Sequence, residues 1–310
     1  MAQTVTVSAP GKLMLFGEHA AVYGYPCIVT AVSERMLVCI EKTNDDKITI
    51  DAPQVKNLLF VEKAVEKTLK TVHIHHTGLH IQTSCMFSCQ YGFGSSSAVT
   101  VAVVYALTAL FQKKIDKRQI FDIAYQTVLD VQKTGSGFDV AAAVWGGTLC
   151  YSNKGETIEP LWAKNISLVV GYSRVKADTV MLVEEVRKKK EQEPEKIERI
   201  FQAIAKIVQE SRQKIEEGDW ERVGVLMNFN QEYLRDLGVS TEKLESMISA
   251  AKNAGAYGAK LSGAGGGDCM IALVPSDKRK AVSDAIIATD GQIIDVAVNA
   301  ESVKIENNIG

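Results

Sequence analysis

The apolar and polar positions of the first half alternate between strand-like runs and two long helical patterns. Residues 4–8, 13–17, 36–42 and 47–51 are rich in β-branched types and bounded by turn formers, which predicts strands. Between 55 and 71, Leu58, Val61, Val65 and Leu69 recur three or four apart, the spacing of one helical face. Leu79, Ile81 and Thr83 then alternate with His80, Gln82 and Ser84, the two-residue period of a half-exposed strand. A turn rich in glycine and serine, Tyr91 to Ser97, leads straight into an apolar helix over 98–111. A second helix near 117–130 precedes another glycine turn, Gly135-Ser136-Gly137-Phe138-Asp139, which opens into a helical segment at 140–144. Residues 148–152 and 167–173 again read as strands.

The second half has a different rhythm. From 178 to 253 the period is helical almost throughout, with charge on one face and apolar residues on the other. Residues 256–262, 269–274 and 292–298 have strand character and enclose a helix at 276–288. The order predicts an α/β (α+β) chain of two lobes, residues 1–164 and 165–310, with the junction near Lys164.

Composition narrows the function classes. The 310 residues are 46% hydrophobic, enough for a large core. With 35 basic and 37 acidic residues, the chain carries no electrostatic footprint for nucleic acid or an anionic membrane. Its densest basic run, Arg187-Lys188-Lys189-Lys190, reads as the solvated end of a helix. The N-terminus lacks the basic and apolar regions of a signal peptide, and the apolar stretch 98–111 is shorter than the roughly 20 residues of a membrane span. A cytoplasmic location is expected, with the six cysteines reduced. Four histidines and two cysteines lie between His73 and Cys89, but without the paired spacing of a zinc site, so that segment reads as a strand.

The chemistry lies in the glycine turns. Gly92-Phe93-Gly94-Ser95-Ser96-Ser97 stands before a long apolar helix, whose first N–H groups are unpaired and whose dipole favours an anion. Glycine lets backbone approach a phosphate closely, and serine hydroxyls add donors or a ligand for magnesium. A Gly/Ser turn that merely caps the helix is the other reading. No Gly-x4-Gly-Lys-Ser/Thr occurs, and Gly263-Ala264-Gly265-Gly266-Gly267-Asp268 ends in Asp268 where a dinucleotide fingerprint needs glycine.

Three separated segments together resemble the three motifs of the GHMP kinases, in the family's order and across essentially the whole chain. They are Ser8-Ala9-Pro10-Gly11-Lys12 through Gly17-Glu18-His19 to Gly24, then Gly92 to Ala98, then Lys260-Leu261-Ser262-Gly263-Ala264-Gly265-Gly266-Gly267-Asp268-Cys269. The resemblance implies a two-lobed fold, with an N-terminal lobe like domain 2 of ribosomal protein S5 and a ferredoxin-like C-terminal lobe. It implies ATP, Mg2+ and a small-molecule alcohol as the reactants' set, and it allows a homodimer. It places the nucleotide phosphates on Gly92, Phe93, Gly94, Ser95, Ser96 and Ser97, with Ser96 on the metal. Asp139 becomes the base that takes the acceptor's proton, and Lys12 the cation beside it. Glu18, His19, Gly263, Ala264 and Gly265 fall on the acceptor side. For Asp139 the alternative is a helix N-cap, and for Lys12 an exposed turn lysine.

Two branches of the family compete. The stretch Phe16 to Gly24, and Asn228-Phe229-Asn230-Gln231 with Leu237-Gly238-Val239-Ser240, are similar to members that phosphorylate mevalonate. Gly135 to Ala143, Lys176 to Val180 and Asp268 are similar to those acting on 5-phosphomevalonate. A metal-binding glutamate of the first branch is replaced by Val128, with Asp130 as a substitute, and the proline that usually precedes the loop by Ser88. Mevalonate is the expected acceptor and 5-phosphomevalonate the alternative. A phosphorylated acceptor would need several of Arg35, Lys133, Arg174 and Lys176 converging beside Asp139. A non-catalytic ligand sensor of the same fold is disfavoured by the presence of Lys12, Ser96 and Asp139.

Overall fold

A computed structural model of the chain describes residues 3–55, 57–85, 91–163 and 166–306. The first strand, β1 (Thr4–Phe16), is continuous where the sequence suggested two. Pro10 and Gly11 read as a break because proline cannot donate to a ladder. Here they are absorbed in a register shift against β2 (Cys27–Thr43) between Pro10 and Lys12. Such a bulge re-aims the side chains beside it. It frees the Lys12 N–H, which donates instead to Phe93 O at 2.9 Å.

The strands β3 (Ile48–Asp51), β4 (Gly78–Cys85), β5 (Thr148–Ser152), β6 (Thr157–Leu161) and a late β11 (Lys304–Ile305) complete the first sheet. Its main path runs β11-β1-β2-β4-β3, and β2 is long enough to pair β5 with its first half and β4 with its second. Against this sheet pack α1 (Leu59–Thr71), α2 (Ser95–Leu110), α3 (Lys117–Gln132) and α4 (Phe138–Trp145). Helix α1 begins at Leu59 rather than 55, and α2 at Ser95 rather than 98, so the three serines form its first turn.

The second sheet, ordered β10-β7-β9-β8, is antiparallel, with β7 (Leu168–Tyr172), β8 (Gly258–Ser262), β9 (Cys269–Leu273) and β10 (Gln292–Ile294). Four helices precede β8: α5 (Thr179–Gln192), α6 (Pro194–Glu217), α7 (Trp220–Asp236) and α8 (Glu242–Asn253), and α9 (Arg279–Ala288) follows β9. The architecture is the expected two-lobed α/β one. Its details differ at β6, where Pro160 and Glu159 hid an edge strand, and at β11, where the chain returns to pair with β1. Lys164, where the sequence puts the lobe junction, lies outside the described residues, as do Ser88 and Cys89.

Strand β1 is buried on both faces, and its two-residue period divides it between the cores. Leu13 and Leu15 pack with the second lobe, while Met14 packs with the helices of the first. The lobes therefore meet across the strand that carries the first glycine motif.

Candidate active site

The loop before α2 is held on three sides. Its Gly92 O accepts from the Lys12 ammonium at 3.0 Å, its Phe93 O from the Lys12 N–H, and its Tyr91 O from the Cys269 thiol at 3.2 Å. Gly92 and Gly94 have φ of 73° and 75°, the left-handed region that glycine adopts without penalty. A Cβ built on Gly92 would lie 2.5 Å from a carboxylate oxygen of Asp268, so a side chain has no room there. Gly94 caps α2 without any side-chain bond, which leaves the first-turn N–H groups pointed outward for an anion. Ser95 and Ser96 are half-buried in that turn, and Ser97 is buried.

Lys12, on β1, and Asp139, on α4, both flank Gly94. A Cβ on Gly94 would stand 3.3 Å from Lys12 Cε and 3.4 Å from Asp139 Cβ. Lys12 is buried rather than an exposed turn residue, with its ammonium 5.7 Å from the centre of the Phe138 ring. Among the described residues no ion pair joins it to Asp139; its hydrogen bond goes to Gly92 O in the loop before α2. Asp139 is the second residue of α4, and the cap is Gly137 at φ 87°, so the N-cap alternative fails. The turn before it is fixed by two phenols that the sequence reading did not find. Tyr125 donates to Gly135 O at 2.9 Å and Tyr151 to Ser136 O. Burial raises both phenols' pKa, which keeps them protonated donors.

The first and third motifs interlock. Ser262 Oγ accepts from the Met14 N–H at 3.0 Å and donates to Met14 O at 2.9 Å, bridging β8 to β1. Glu18 is fully buried and paired with the equally buried Lys260. Its carboxylate therefore serves Lys260, and its second oxygen has no hydrogen-bond partner among the described residues. His19, at φ 60°, is within 2.8 Å of Ala264 O through Nε2, and so ties the first motif to the third. The Asn228–Gln231 segment braces this junction: Asn230 accepts from the Gly17 N–H at 3.3 Å and Gln231 from the Leu261 N–H at 3.0 Å. Val239 O accepts the Gly266 N–H at 2.7 Å, which fixes the glycine turn itself.

Burial lowers the His19 pKa from its ordinary 6.5, outweighing the hydrogen bond to Ala264, so the ring is neutral at pH 7 and donates from Nε2. A lowered folded-state pKa contributes stability above 6.5 that is lost as pH falls through the folded value. Unfolding free energy measured at about pH 7 and about pH 5 should therefore drop more in the wild type than in His19→Gln. Equal drops would remove His19 as a source of acid sensitivity.

Ser96, half-buried in the first turn of α2, offers a hydroxyl oxygen, the ligand type that magnesium takes. Asp130 is the carboxylate considered in place of the glutamate that Val128 replaces. Val128 is buried in the first core, and Asp130 is paired with Lys67 at 2.8 Å on an exposed flank. Among the described residues no three His, Cys, Asp or Glu side chains gather to hold a metal. His80, in the segment weighed as a zinc site, lies in β4 and bonds Thr49 Oγ1 at 2.8 Å.

Three of the four cations considered for a phosphorylated acceptor are committed elsewhere. Arg35 donates to Ser8, Glu301 O and Ser302 O; Arg174 is 3.5 Å from Asp290; and Lys176 holds Asp268 at 2.9 Å.

Comparison with known proteins identifies the family. The model described as "GHMP kinases N terminal domain" matches residues 59–147, and "GHMP kinases C terminal" matches 211–291. A "Galactokinase galactose-binding signature" matches residues 2–42, the span of β1 and most of β2. The chain is 36% identical to the mevalonate kinase of Pyrococcus furiosus, over 98% of this chain and 99% of that one. Its structure resembles that of L. major mevalonate kinase in complex with R-mevalonate, with a TM-score of 0.80 and 28% identity over 97% and 96% of the two chains. Streptococcus pneumoniae phosphomevalonate kinase shares the fold, with a TM-score of 0.82 over 96% and 99% of the chains, at 18% identity.

Proposed function

The chain belongs to the GHMP kinase family, and we propose that it transfers the γ-phosphoryl group of ATP to the 5-hydroxyl of mevalonate, giving ADP and 5-phosphomevalonate. It is a phosphotransferase with an alcohol acceptor, and the full-length relatives at 36% and 35% identity include mevalonate kinases. The observation that favours the unphosphorylated acceptor is the state of the cations. A phosphate of charge near two calls for several cationic contacts, yet Arg35, Arg174 and Lys176 are already bound to other partners.

In this reading the first turn of α2 and Gly92 to Ser97 cradle the triphosphate. Magnesium, when bound with ATP, supplies charge neutralisation between the phosphates, and Ser96 and phosphate oxygens would hold it. Asp139 Oδ takes the proton of the acceptor hydroxyl as that oxygen attacks phosphorus. Lys12 holds the loop through Gly92 O and lends positive charge to the transferring group. His19 and the turn Gly263, Ala264 and Gly265 shape the acceptor side, and Glu18 acts there through Lys260. The lobe junction near Lys164 and a cytoplasmic location belong to the same proposal.

The test is ADP release measured with mevalonate, 5-phosphomevalonate, homoserine and galactose in parallel. Mevalonate should give the largest kcat/KM; a larger value with 5-phosphomevalonate overturns the choice of acceptor. Ser96→Ala should weaken Mg-ATP binding and turnover together. An unchanged magnesium dependence would leave Ser96 as a helix-turn residue only.

A further inference from the structure

Asp268 puts a negative charge where an ATP site can least accommodate one. Its carboxylate packs on Gly92, the first glycine of the phosphate loop, with an oxygen 2.5 Å from where a Cβ would stand. The residue is buried and held at φ 52°, by its own N–H to Val175 O at 2.7 Å and by the Ser173 N–H to its carbonyl at 2.9 Å. A bare carboxylate so placed and so buried would repel the phosphates.

The structure supplies the balancing charge from one direction. Lys176 Nζ reaches both carboxylate oxygens, at 2.9 and 3.1 Å, and the Ala177 N–H adds a third bond at 3.1 Å. The Lys176 side chain is 38% exposed, so its ammonium sits at the mouth of the cleft rather than inside the core. Lys12, the other nearby cation, donates to Gly92 O and makes no ion pair with Asp268 among the described residues.

We propose that Asp268 and Lys176 form a charge-balanced latch that positions the phosphate loop: Asp268 closes against Gly92, and Lys176 cancels its charge so that the nucleotide phosphates can be seated. Both are positioning residues. The inference rests on the ATP-dependent kinase reading, and it assigns Lys176 to the nucleotide rather than to the acceptor.

Lys176→Gln removes the charge and keeps an amide that can donate to Asp268. It should raise the KM for ATP about tenfold or more while the KM for mevalonate moves little. The rise should shrink as salt increases, since the Debye length falls from about 10 Å at 0.1 M to about 3 Å at 1 M. Adding Asp268→Asn to it should restore the KM for ATP to within about threefold of the wild type, because both charges are then gone. A purely structural pair would show no such rescue. An unmoved KM for ATP in Lys176→Gln, or a double variant as poor as the single one, overturns the latch. Should Lys176→Gln fail to fold, Asp268→Asn alone decides: it releases the ammonium toward the phosphates and should lower the KM for ATP, and a raised KM overturns the proposal. Titration of the wild type with Mg-ATP in the absence of acceptor separates the two readings. No binding there sinks the kinase reading along with the latch, whereas binding with an unmoved KM in the variant sinks the latch alone.

Discussion

Asp139→Asn should bind ATP as the wild type does and lose about 10²–10⁴-fold in kcat, the usual consequence of removing a general base. The amide is isosteric, so the first turn of α4 and the contact with Gly94 survive the change. Only the capacity to take a proton is lost. A deficit below about tenfold, or one carried by the KM for ATP, would count against the assignment. Lys12→Met should fall by a similar factor but with a raised KM for ATP, because Lys12 also holds Gly92 O. If the two residues work on one transition state, the double variant should lose little more than the worse single one.

The second large effect is on stability. Removing one member of the Glu18–Lys260 pair should cost about 3–5 kcal/mol, because the other charge is then stranded in a fully buried site. Removing both should cost far less. The pKa shifts carry the reason. Burial is the leading cause for both groups: it raises Glu18 from 4.5 and lowers Lys260 from 10.5, in each case outweighing the partner's attraction. A raised carboxylate loses stability as pH climbs above 4.5, and a lowered ammonium loses it as pH falls below 10.5. At neutral pH the pair is thus a cost accepted for position rather than a source of net stability. Urea unfolding of Glu18→Gln, Lys260→Met and the double variant measures this. Single variants within about 1 kcal/mol of the wild type would mean that the site admits water or relaxes. The folded double variant should still lose kcat/KM, since the pair joins the first motif to the strand that leads into Gly263.

How much of this was readable in advance depends on the range of the interaction. The glycine turn before α2 was legible because its determinants are local. Positive φ at Gly92 and Gly94, and a helix N-terminus directly behind them, need only adjacent residues. The same holds for Gly137 before Asp139. Two local signals misled. Pro10-Gly11 has the chemistry of a turn, yet long pairing on β2 carried β1 through it as a bulge. Pro160 masked β6, which tolerates it as an edge strand.

The partners of the charged groups were another matter. Lys12 stands beside Asp139 across Gly94 but gives its hydrogen bond to Gly92 O, and Glu18 pairs with Lys260, 242 residues away. Lys176 reaches Asp268 across 92 residues, and β11 returns from the far end of the chain to β1. Tyr125 and Tyr151, which brace the turn before Asp139, carry no motif at all. The sequence by itself determined the order of elements, the glycine turns and which residue types could handle phosphate, since backbone conformation and helix dipoles follow from neighbours along the chain. Tertiary structure alone decided which charge meets which. Strand register and the packing of two lobes on β1 choose those pairs, and burial makes each choice costly to change.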